Sequence, residues 1–337
     1  MRPLLLSLSV VIALLLVGCS PKECKKTEPP KCCTQKFTIQ RGVNASHWLS
    51  QTTIRGEERA AYMSERDFKR IADMGFDHVR LPVDEEQLWT ETGEQEPEAF
   101  ALLHQAIDWC LENNLKVIVD LHVLRSHHFN VADNRQLWEE DSAQQQFISF
   151  WKQLSDKLKD TPLNMVAYEP MNEAVSDNPE DWNKLINWVI VELRKLEPKR
   201  TIIMGSNNWQ QPGTFPDLSV PENDPNIILS FHYYTPFPLT HYLAPWNPFH
   251  RYDGPISYPG QAIDTTLYAG MDEELLELVK WHNGYFDREA LEKDIMTAVN
   301  VAKKFNLPLY CGEFGAFPTT DLARIFHEHP PKVGFTS

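Results

Sequence analysis

Short apolar runs recur along the chain, and segments with helical periodicity separate them. The runs, which we predict to be β-strands, begin near Phe37, Phe76, Leu115, Leu163, Thr201, Asn226 and Leu307. The first intervening helix is predicted to open at the capping-box pattern Ser64–Asp67 and to end at Gly75. Its predicted inner face comprises Phe68, Ile71, Ala72 and Met74. Continuous apolar strands that alternate with helices are typical of a parallel sheet with both faces buried.

Two architectures fit this order of elements: an open, doubly wound sheet and a (β/α)8 barrel. A nucleotide-binding open sheet normally has a glycine-rich first turn, but residues 42–48 contain a single glycine, Gly42. Polar and aromatic residues instead follow nearly every predicted strand, as they do at the C-terminal face of a barrel. We therefore predict an α/β fold of the (β/α)8 TIM barrel type over residues 37–337.

The N-terminus has the pattern of an exported protein with a lipid anchor. Arg2 precedes an apolar run from Leu4 to Val17 that is short for a membrane span. Residues 16–19, Leu-Val-Gly-Cys, resemble the bacterial lipoprotein box, in which the cysteine is acylated; the alternative is a plain signal peptide with a chance cysteine. We predict a lipoprotein signal peptide over residues 1–18, a lipid anchor on Cys19 and a polar tether over residues 19–36. The expected location is a membrane surface of the bacterial cell envelope.

Charge and composition narrow the class of partner. The formal net charge is −15 at pH 7. Removal of residues 1–18 would also remove the positive charge of Arg2 and make the net charge more negative by one. A surface this acidic argues against nucleic acid as a partner. No repeat and no low-complexity segment divides the residues that follow the tether. We therefore predict one large domain there.

Charged and polar side chains collect at the predicted C-terminal ends of the strands. Two glutamates, Glu173 and Glu313, end stretches that have the pattern of buried strands. The other strand ends contribute Arg80, Asp120, His122, Asn172, Asn207, Asn208, Trp209, His232 and Tyr234. Each of these residues taken alone has an ordinary structural explanation, such as a surface ion pair or a hydrogen-bonded core histidine. Packing needs would scatter polar groups evenly, so their concentration at one end of a barrel favours a functional site.

Several of these strand ends resemble motifs of glycoside hydrolase family 5, the cellulase-like group of retaining (β/α)8 glycosidases. The motifs are Val79-Arg80-Leu81-Pro82, Asp120-Leu121-His122, Asn172-Glu173, His232-Tyr233-Tyr234 and Gly312-Glu313-Phe314-Gly315, in the family's order over about residues 40–317. The resemblance implies that Glu173 is the acid/base and Glu313 the nucleophile. It also implies that Asn172 holds the 2-hydroxyl of the sugar at the cleavage point. By the same resemblance His232 and Tyr234 orient the glutamates, while Arg80 and His122 shape the floor beneath that sugar.

The chemistry of retaining glycosidases explains these residue types. One carboxylate must be ionised and the other protonated, with a separation of about 5–5.5 Å. Two carboxyl groups that close do not both ionise easily, so the pKa of the acid is expected to rise. Arg80 near Glu313 would keep the nucleophile charged, Tyr234 could donate a hydrogen bond to it, and Glu173 would carry the proton. Such a mechanism requires no metal and no organic cofactor.

The substrate is expected to contact the loops. Residues 235–286 form a long predicted loop rich in proline and aromatic residues, and a structureless loop of that length usually has a function. Candidate platforms for sugar rings are Trp48, Trp209, Trp246 and Trp281. We favour a β-1,4-glucan as the substrate, with mannan, xyloglucan and short β-glucosides as alternatives.

The C-terminal end departs from the family pattern. Only 24 residues follow Glu313, whereas the family continues through a helix, an eighth strand that ends in a tryptophan, and a closing helix. Leu322–His327 could begin that helix and residues 333–335 could form a short strand. The barrel is nevertheless predicted to be truncated before its eighth strand, with the edges of the first and seventh strands exposed. A second hypothesis follows, a surface lipoprotein that binds glycan without cleaving it, although such a binder would be expected to lack one of the two glutamates.

Overall fold

The structure is a computed structural model that describes residues 36–131, 133–317 and 334–336. The predicted signal peptide, Cys19 and all of the predicted tether except Lys36 lie outside the described residues, as does the helix predicted at Leu322–His327. Within the described ranges, none of the helices combines the length and the apolar character that a bilayer span would need.

The central sheet is a barrel of parallel strands. In chain order the strands are β1 (Gly42–Asn44), β2 (His78–Val83), β3 (Lys116–Leu121), β4 (Val166–Glu169), β5 (Ile202–Gly205), β6 (Ile227–Tyr233), β7 (Gly260–Gln261), β8 (Tyr285–Phe286), β9 (Leu309–Phe314) and β10 (Gly334–Thr336). Neighbours pair in parallel from β1 through β6 and then to β9, while β7 and β8 form a separate antiparallel pair. Asn44 Nδ2 on β1 donates to the Gly312 carbonyl on β9 at 3.4 Å. The two ends of the parallel row therefore meet, and the predicted barrel, rather than an open sheet, is confirmed.

The edge of β1 is not exposed, contrary to the prediction. β10 pairs with β1 in the antiparallel direction, with Gly42 opposite Thr336 and Asn44 opposite Gly334. This pairing supplies backbone partners that an open edge would lack. A (β/α)8 repeat would place a parallel strand here, and a three-residue run carries too little pattern for the sequence to predict its direction or its partner.

The helices surround the barrel and connect its strands. In chain order they are α1 (Gly56–Tyr62), α2 (Glu65–Asp73), α3 (Glu85–Leu88), α4 (Pro97–Glu112), α5 (Gln136–Glu139), α6 (Asp141–Leu158), α7 (Pro179–Leu196), α8 (Asn207–Gln210), α9 (Phe237–Thr240), α10 (Glu273–His282) and α11 (Arg288–Phe305). The longer ones bury an apolar stripe against the sheet, as Phe147, Trp151 and Leu154 do on α6. Helix α2 begins as predicted, because the Asp67 carboxylate accepts the Ser64 N–H at 2.9 Å.

The predicted inner face of α2 is wrong at one position, Met74. Met74 is 62% exposed, whereas Phe68 and Ile71 are buried as expected. Met74 is the residue that caps the helix, and Gly75 follows it with a left-handed φ of 84°. The chain turns away at this point, so the helical period that predicts burial no longer applies there.

Inward-facing side chains form two layers inside the barrel because successive residues of a strand point to opposite faces. The lower layer is apolar and comprises Phe37, Ile118, Ala167, Ile203, Ile228 and Tyr310, with Phe37 contributed from the segment before β1. Two residues further along the strands the interior becomes polar, with Arg80 on β2, Asp120 on β3 and Glu169 on β4, all fully buried. The apolar layer therefore closes the lower part of the barrel and supports a charged layer near the carboxyl ends of the strands.

Residues 235–286, which we call the β6 insert, are not the structureless loop that was predicted. They contain α9, α10, the antiparallel pair of β7 and β8, and short 3-10 turns at Pro248–Arg251 and Thr265–Tyr268. The β6 insert also has its own buried apolar cluster of Phe249, Tyr252, Ala262, Ile263 and Val279. Proline-rich composition concealed this order, because short elements separated by turns give no long periodic pattern.

Candidate active site

Arg80 is the centre of the charged layer. Its guanidinium is fully buried and donates from Nε to Glu169 Oε2 at 2.7 Å and from one terminal nitrogen to Glu313 Oε1 at 2.6 Å. The other terminal nitrogen donates to Asn172 Oδ1 at 2.8 Å and lies 2.9 Å from Asp120 Oδ2. Because a buried guanidinium needs this many acceptors, Arg80 ties strands β2, β3, β4 and β9 together.

Glu173 and Glu313 face each other across the top of this layer. Each offers a carboxylate oxygen that lies within 4.8 Å of the other and of a ring nitrogen of His232. His232 Nδ1 is 2.7 Å from Glu173 Oε1 and 3.7 Å from Glu313 Oε2. Tyr234 donates its hydroxyl proton to Glu313 Oε2 at 2.9 Å. The carboxylate spacing is that of the retaining, and not of the inverting, class of carboxylate pair.

The environment moves the pKa values of the two carboxyl groups in opposite directions. Burial raises the pKa of Glu173, and the negative charge of Glu313 adds to this effect, although the hydrogen bond from His232 opposes it. Burial would also raise the pKa of Glu313, but the positive charges of His232 and Arg80 outweigh it and lower that pKa to about 2. Near neutral pH Glu313 is therefore the ionised member, and Glu173 is the one better able to hold a proton.

Three neighbouring groups complete the site. Burial and the negative charge of Glu313 raise the pKa of Tyr234 well above its usual value, so its phenol remains a donor. His122 is buried, and its Nδ1 lies 2.7 Å from Asp120 Oδ2, which orients the ring. Asn172 Nδ2 is buried and has no hydrogen-bond partner among the described residues. An unpaired buried amide of this kind is a group that a ligand hydroxyl could satisfy.

A β-bulge brings Glu313 into the site. The pairing of β6 with β9 matches Phe231 to Cys311 and His232 to Glu313, so Gly312 is the extra residue. In a regular strand Cys311 and Glu313 would share one face, but Cys311 packs against the main hydrophobic core outside the barrel interior. A Cβ at Gly312 would lie only 3.0 Å from His232 Nε2, so the bulge position has to be small.

Two side chains hold the backbone of Glu173, which has a left-handed φ of 44° that residues other than glycine rarely adopt. Gln210 Oε1 accepts the Glu173 N–H at 2.9 Å, and His127 Nε2 lies 3.4 Å from the Glu173 carbonyl oxygen. Gln210 is buried and is itself fixed by donating to Glu169 Oε1 at 3.4 Å and to Ser230 Oγ at 3.3 Å. Burial lowers the pKa of His127 to about 4, so its ring is neutral. We call Gln210 and His127 the Glu173 clamp.

The four candidate tryptophans lie in different environments. Trp48 is 1% exposed and donates to a backbone carbonyl, so its prediction as a sugar platform is wrong; an apolar core position explains it. Trp209 is partly exposed, its backbone N–H donates to Ala174 beside Glu173, and its indole N–H donates to the Phe129 carbonyl at 3.0 Å. The remaining two are exposed and belong to the β6 insert, namely Trp246 and Trp281.

The spacing of the site atoms is that of hydrogen bonds rather than of a filled metal centre. Glu173, His232 and Glu313 are the only described group of histidine, cysteine and carboxylate side chains with three ligand atoms this close together. His232 Nδ1 and Glu173 Oε1 are at hydrogen-bond distance, 2.7 Å, and Glu313 is held by Arg80. An ion bound by all three would need these partners to separate.

A close pair of carboxyl groups with opposed pKa shifts, at the C-terminal end of a (β/α) barrel, defines the active site of a retaining glycosidase. The comparisons with known proteins agree. The chain belongs to the cellulase family, glycosyl hydrolase family 5, whose model matches residues 36–327.

Named relatives and solved structures resemble the chain over most of its length. It is 28% identical over 289 residues to endoglucanase C of Acetivibrio thermocellus, which covers 85% of this chain and 84% of the relative. It is also 28% identical over 280 residues to cellodextrinase A of Ruminococcus flavefaciens, covering 82% of this chain and 76% of the relative. A crystal structure of a hyperthermophilic endo-β-1,4-glucanase in complex with substrate superposes with a TM-score of 0.65 at 27% identity, covering 86% of each chain.

The structure brings together the residues that the sequence predicts as catalytic and binding, and Trp209 is placed beside Glu173 by its backbone hydrogen bond to Ala174. Sequence reasoning missed the Glu173 clamp and the buried Glu169. Glu169 does carry a signal, because a charged residue inside an apolar strand needs a buried partner. Gln210 and His127 give no such signal, since they contact Glu173 only through its backbone.

Proposed function

We propose that this protein hydrolyses β-1,4-glucan by double displacement, with Glu313 as nucleophile and Glu173 as acid/base. The observation that carries this proposal is the pair of carboxyl groups within 4.8 Å of each other whose pKa values are moved in opposite directions. The alternative is a protein that binds glycan without cleaving it. Burying the charge of Glu313 and the carboxyl group of Glu173 costs free energy, and a protein that only binds glycan would gain no catalysis in return.

The first step forms a covalent intermediate. The Glu313 carboxylate attacks the anomeric carbon while Glu173 gives its proton to the glycosidic oxygen, and the leaving sugar departs as an alcohol. In the second step the Glu173 carboxylate takes a proton from a water molecule. The oxygen of that water attacks the anomeric carbon and displaces Glu313. Glu173 is then protonated and Glu313 ionised, as at the start, and the configuration of the sugar is retained.

The surrounding residues are proposed to position this chemistry. Arg80 and the Tyr234 hydroxyl hold both oxygens of Glu313, which fixes the attacking lone pair and keeps the carboxylate ionised. His232 fixes Glu173. Asn172 receives a hydrogen bond from Arg80, so its unpaired Nδ2 is the group proposed to donate to the 2-hydroxyl of the reacting sugar. His122, oriented by its carboxylate partner, is proposed to line the floor beneath that sugar.

The pH dependence of kcat/KM should report the two opposed pKa values. Activity requires Glu173 to be protonated, so it should fall as pH rises through the raised pKa of Glu173. Activity requires Glu313 to be ionised, so the acid limb should lie near its pKa of about 2, if the fold survives there. Rates measured in short assays, with folding followed by circular dichroism, check this. An acid limb near the ordinary glutamate pKa of about 4.3 in folded enzyme would contradict it.

The Gln210→Leu variant should weaken catalysis through the position of Glu173. Leucine fills a similar volume but cannot accept the Glu173 N–H, so the left-handed backbone loses one of its two restraints. We expect kcat to fall roughly 10- to 100-fold and the alkaline limb of the pH profile to shift, because the pKa of Glu173 depends on its contact with His232. The matched control is Gln211→Leu, whose side chain is exposed. An unchanged pH profile, with activity that follows only the folded fraction, would contradict a positioning role.

The substrate is inferred from the site and the relatives together. Two relatives are named as an endoglucanase and a cellodextrinase, and a structural neighbour as an endo-β-1,4-glucanase, which supports a β-1,4-glucan here. The test is the release of reducing ends by the purified protein from cello-oligosaccharides and soluble cellulose, in parallel with mannan and xyloglucan. Fastest turnover of the cellulose series supports the proposal. Preference for mannan or xyloglucan would reassign the substrate, and binding without release from any of them would favour the glycan-binding alternative.

We further propose that the protein is exported and attached to the bacterial cell envelope through a lipid on Cys19. The proposal is supported by the charged residue, apolar run and Leu-Val-Gly-Cys box of residues 2–19. Expression in a Gram-negative host followed by fractionation tests it. The native chain should sediment with membranes and Cys19→Ser should not; equal distribution of the two would contradict the anchor.

A further inference from the structure

Glu169 is connected to both catalytic glutamates through one intermediate residue each. It is the last residue of β4, it is fully buried, and each of its two carboxylate oxygens binds a different partner. Oε2 accepts the Arg80 Nε–H at 2.7 Å, and Oε1 accepts from Gln210 Nε2 at 3.4 Å. Arg80 in turn donates to Glu313, and Gln210 accepts the backbone N–H of Glu173. One buried side chain is therefore linked to the nucleophile on one side and to the acid/base on the other.

Glu169 also fixes the direction of the Gln210 amide. Gln210 Nε2 donates to two acceptors, Glu169 Oε1 and, at 3.3 Å, Ser230 Oγ. An amide turned the other way would set its oxygen against the carboxylate, so the carbonyl oxygen has to face the Glu173 N–H, which it accepts at 2.9 Å. That N–H belongs to a residue with a left-handed φ of 44°, so this contact holds a backbone conformation that glutamate rarely adopts.

On its other side Glu169 sets the plane of the Arg80 guanidinium. A guanidinium is flat and its N–H groups have fixed directions, so the acceptor at Nε determines where the two terminal nitrogens point. One of them reaches Glu313 Oε1 at 2.6 Å, and the other reaches Asn172 Oδ1 at 2.8 Å. The hydrogen bond from Nε to Glu169 therefore bears on the position of the nucleophile.

Charge balance alone does not explain a carboxylate at this position. Arg80 already lies against Asp120 at 2.9 Å and Glu313 at 2.6 Å. Burial raises the pKa of Glu169 although Arg80 opposes the rise, and the negative charge of Asp120 adds to it. Burying a third carboxyl group beside one cation costs free energy. Its two oxygens, each facing a donor, provide the geometry that offsets this cost.

We propose that Glu169 is a positioning residue that aligns Glu173 with Glu313. It acts on the acid/base through Gln210 and on the nucleophile through Arg80. The inference rests on the proposed function, and it adds that one shared buried group, rather than two independent ones, holds the two reacting carboxyl groups. Because Glu169 has no exposed surface that a sugar could contact, a change there lowers kcat more than it changes KM.

The test compares Glu169→Gln, Gln210→Glu and the double variant that carries both changes. Glu169→Gln leaves one acceptor for two donors, so Arg80 or Gln210 loses its partner, and Gln210→Glu sets two carboxyl groups against each other. In the double variant the amide at position 169 accepts from Arg80 and donates to the carboxylate at position 210. The second oxygen of that carboxylate accepts the Glu173 N–H, and the Ser230 hydroxyl can turn to donate to it. The double variant thus restores the wild-type connections with the negative charge moved to the neighbouring side chain.

We expect Glu169→Gln to lower kcat on cellohexaose roughly 100-fold per folded molecule, which is the effect of a displacement of about 1 Å at the reacting groups. KM should change less than about threefold. Gln210→Glu should also lower kcat, and the double variant should be at least about tenfold more active than either single variant. The alkaline limb of the pH profile should move to higher pH in Glu169→Gln, because a displaced Glu173 loses part of the hydrogen bond from His232 that lowers its pKa.

The matched control is Glu197→Gln. Glu197 is likewise a buried glutamate that accepts from the Nε of a buried arginine, Arg200, at 2.8 Å, while its other oxygen accepts from Ser155 and Tyr168. Arg200 precedes β5, so this pair lies at the amino ends of the strands, opposite the site. Glu197→Gln should lower the melting temperature but leave kcat per folded molecule and the pH profile unchanged.

Two results would overturn the positioning role. The first is a Glu169→Gln variant that behaves like the control, with activity that follows only the folded fraction and an unmoved alkaline limb. The second is a double variant that does not fold or is no more active than the single variants. If Glu169→Gln itself fails to fold, Gln210→Glu and the double variant give the same comparison. Failure of the proposed function is separately visible, because the wild-type protein would then release no sugar from cellohexaose.

Discussion

Replacing Glu313 with glutamine is expected to lower kcat on cello-oligosaccharides by at least about 10⁴-fold, with little change in the melting temperature. Glutamine keeps the shape of the side chain, and its amide oxygen can still accept from Arg80 while its amide nitrogen donates to the Tyr234 hydroxyl, but it has no charge with which to attack the anomeric carbon. The measurement is steady-state hydrolysis of cellohexaose and of an aryl cellobioside. Both substrates should be affected, because the first step needs the nucleophile whatever the leaving group.

The Glu173→Ala variant serves as the contrasting control for Glu313→Gln. Loss of the acid should slow cellohexaose strongly but spare the first step of an aryl cellobioside, whose leaving group departs without a proton. Azide should then accelerate this variant, since a small anion fits the vacated space and attacks the intermediate without a general base. Two outcomes would contradict the assignment of the two roles. One is that azide accelerates Glu313→Gln and gives a product of retained configuration, and the other is that azide does not accelerate Glu173→Ala.

The Arg80→Met variant should have the second largest effect, because it acts on both stability and activity. Methionine fills much of the space but leaves Glu169 and Asp120 buried without their cation. Breaking a buried ion pair from one side typically costs about 3–5 kcal/mol, and we expect the free energy of unfolding to fall by that amount. The pKa of Glu313 should rise as it loses Arg80, so the acid limb moves to higher pH and kcat falls at least about 100-fold.

Urea denaturation and the pH profile together check the Arg80 prediction. Arg135→Met is the matched control, since Arg135 is partly exposed and pairs with Glu139 and Asp177 at the surface, where removal should change stability by less than about 1 kcal/mol. If Arg80→Met were as stable as the wild type with an unmoved acid limb, the charged layer would not depend on Arg80.

The barrel and most of the site could be predicted from the sequence because both depend on strong local patterns. Apolar strands that alternate with amphipathic helices predict a parallel sheet, and polar residues at the strand ends predict where a site forms. Arg80 and Asp120 are among these strand-end residues, and the two-residue period of the strands points both side chains into the barrel. That two carboxyl groups so close together should have different pKa values follows from chemistry, while the roles of Glu173 and Glu313 were implied by the resemblance to family 5.

What could not be predicted depends on tertiary contacts. Gln210 reaches Glu173 through the backbone, and it fits only because Gly205 lacks a Cβ, which would lie 2.4 Å from the Gln210 side chain. The bulge at Gly312 shifts the pairing of β6 and β9 by one residue. The register of two strands depends on how they pair and not on their composition, so the sequence does not reveal this shift. Trp48 was mistaken for a platform because a tryptophan in a loop looks the same in sequence whether it is buried or exposed.

The most direct measurement of the central claim is the trapping of the covalent intermediate. Dinitrophenyl 2-deoxy-2-fluoro-β-cellobioside should react with the wild-type protein, because its leaving group speeds the first step while fluorine slows the second more. The mass of the protein should rise by one fluorocellobiosyl group, peptide mapping should place the group on Glu313, and the Glu313→Gln variant should stay unmodified. A wild-type protein that hydrolyses glucan with inverted configuration and forms no adduct, or an adduct on another residue, would contradict the account.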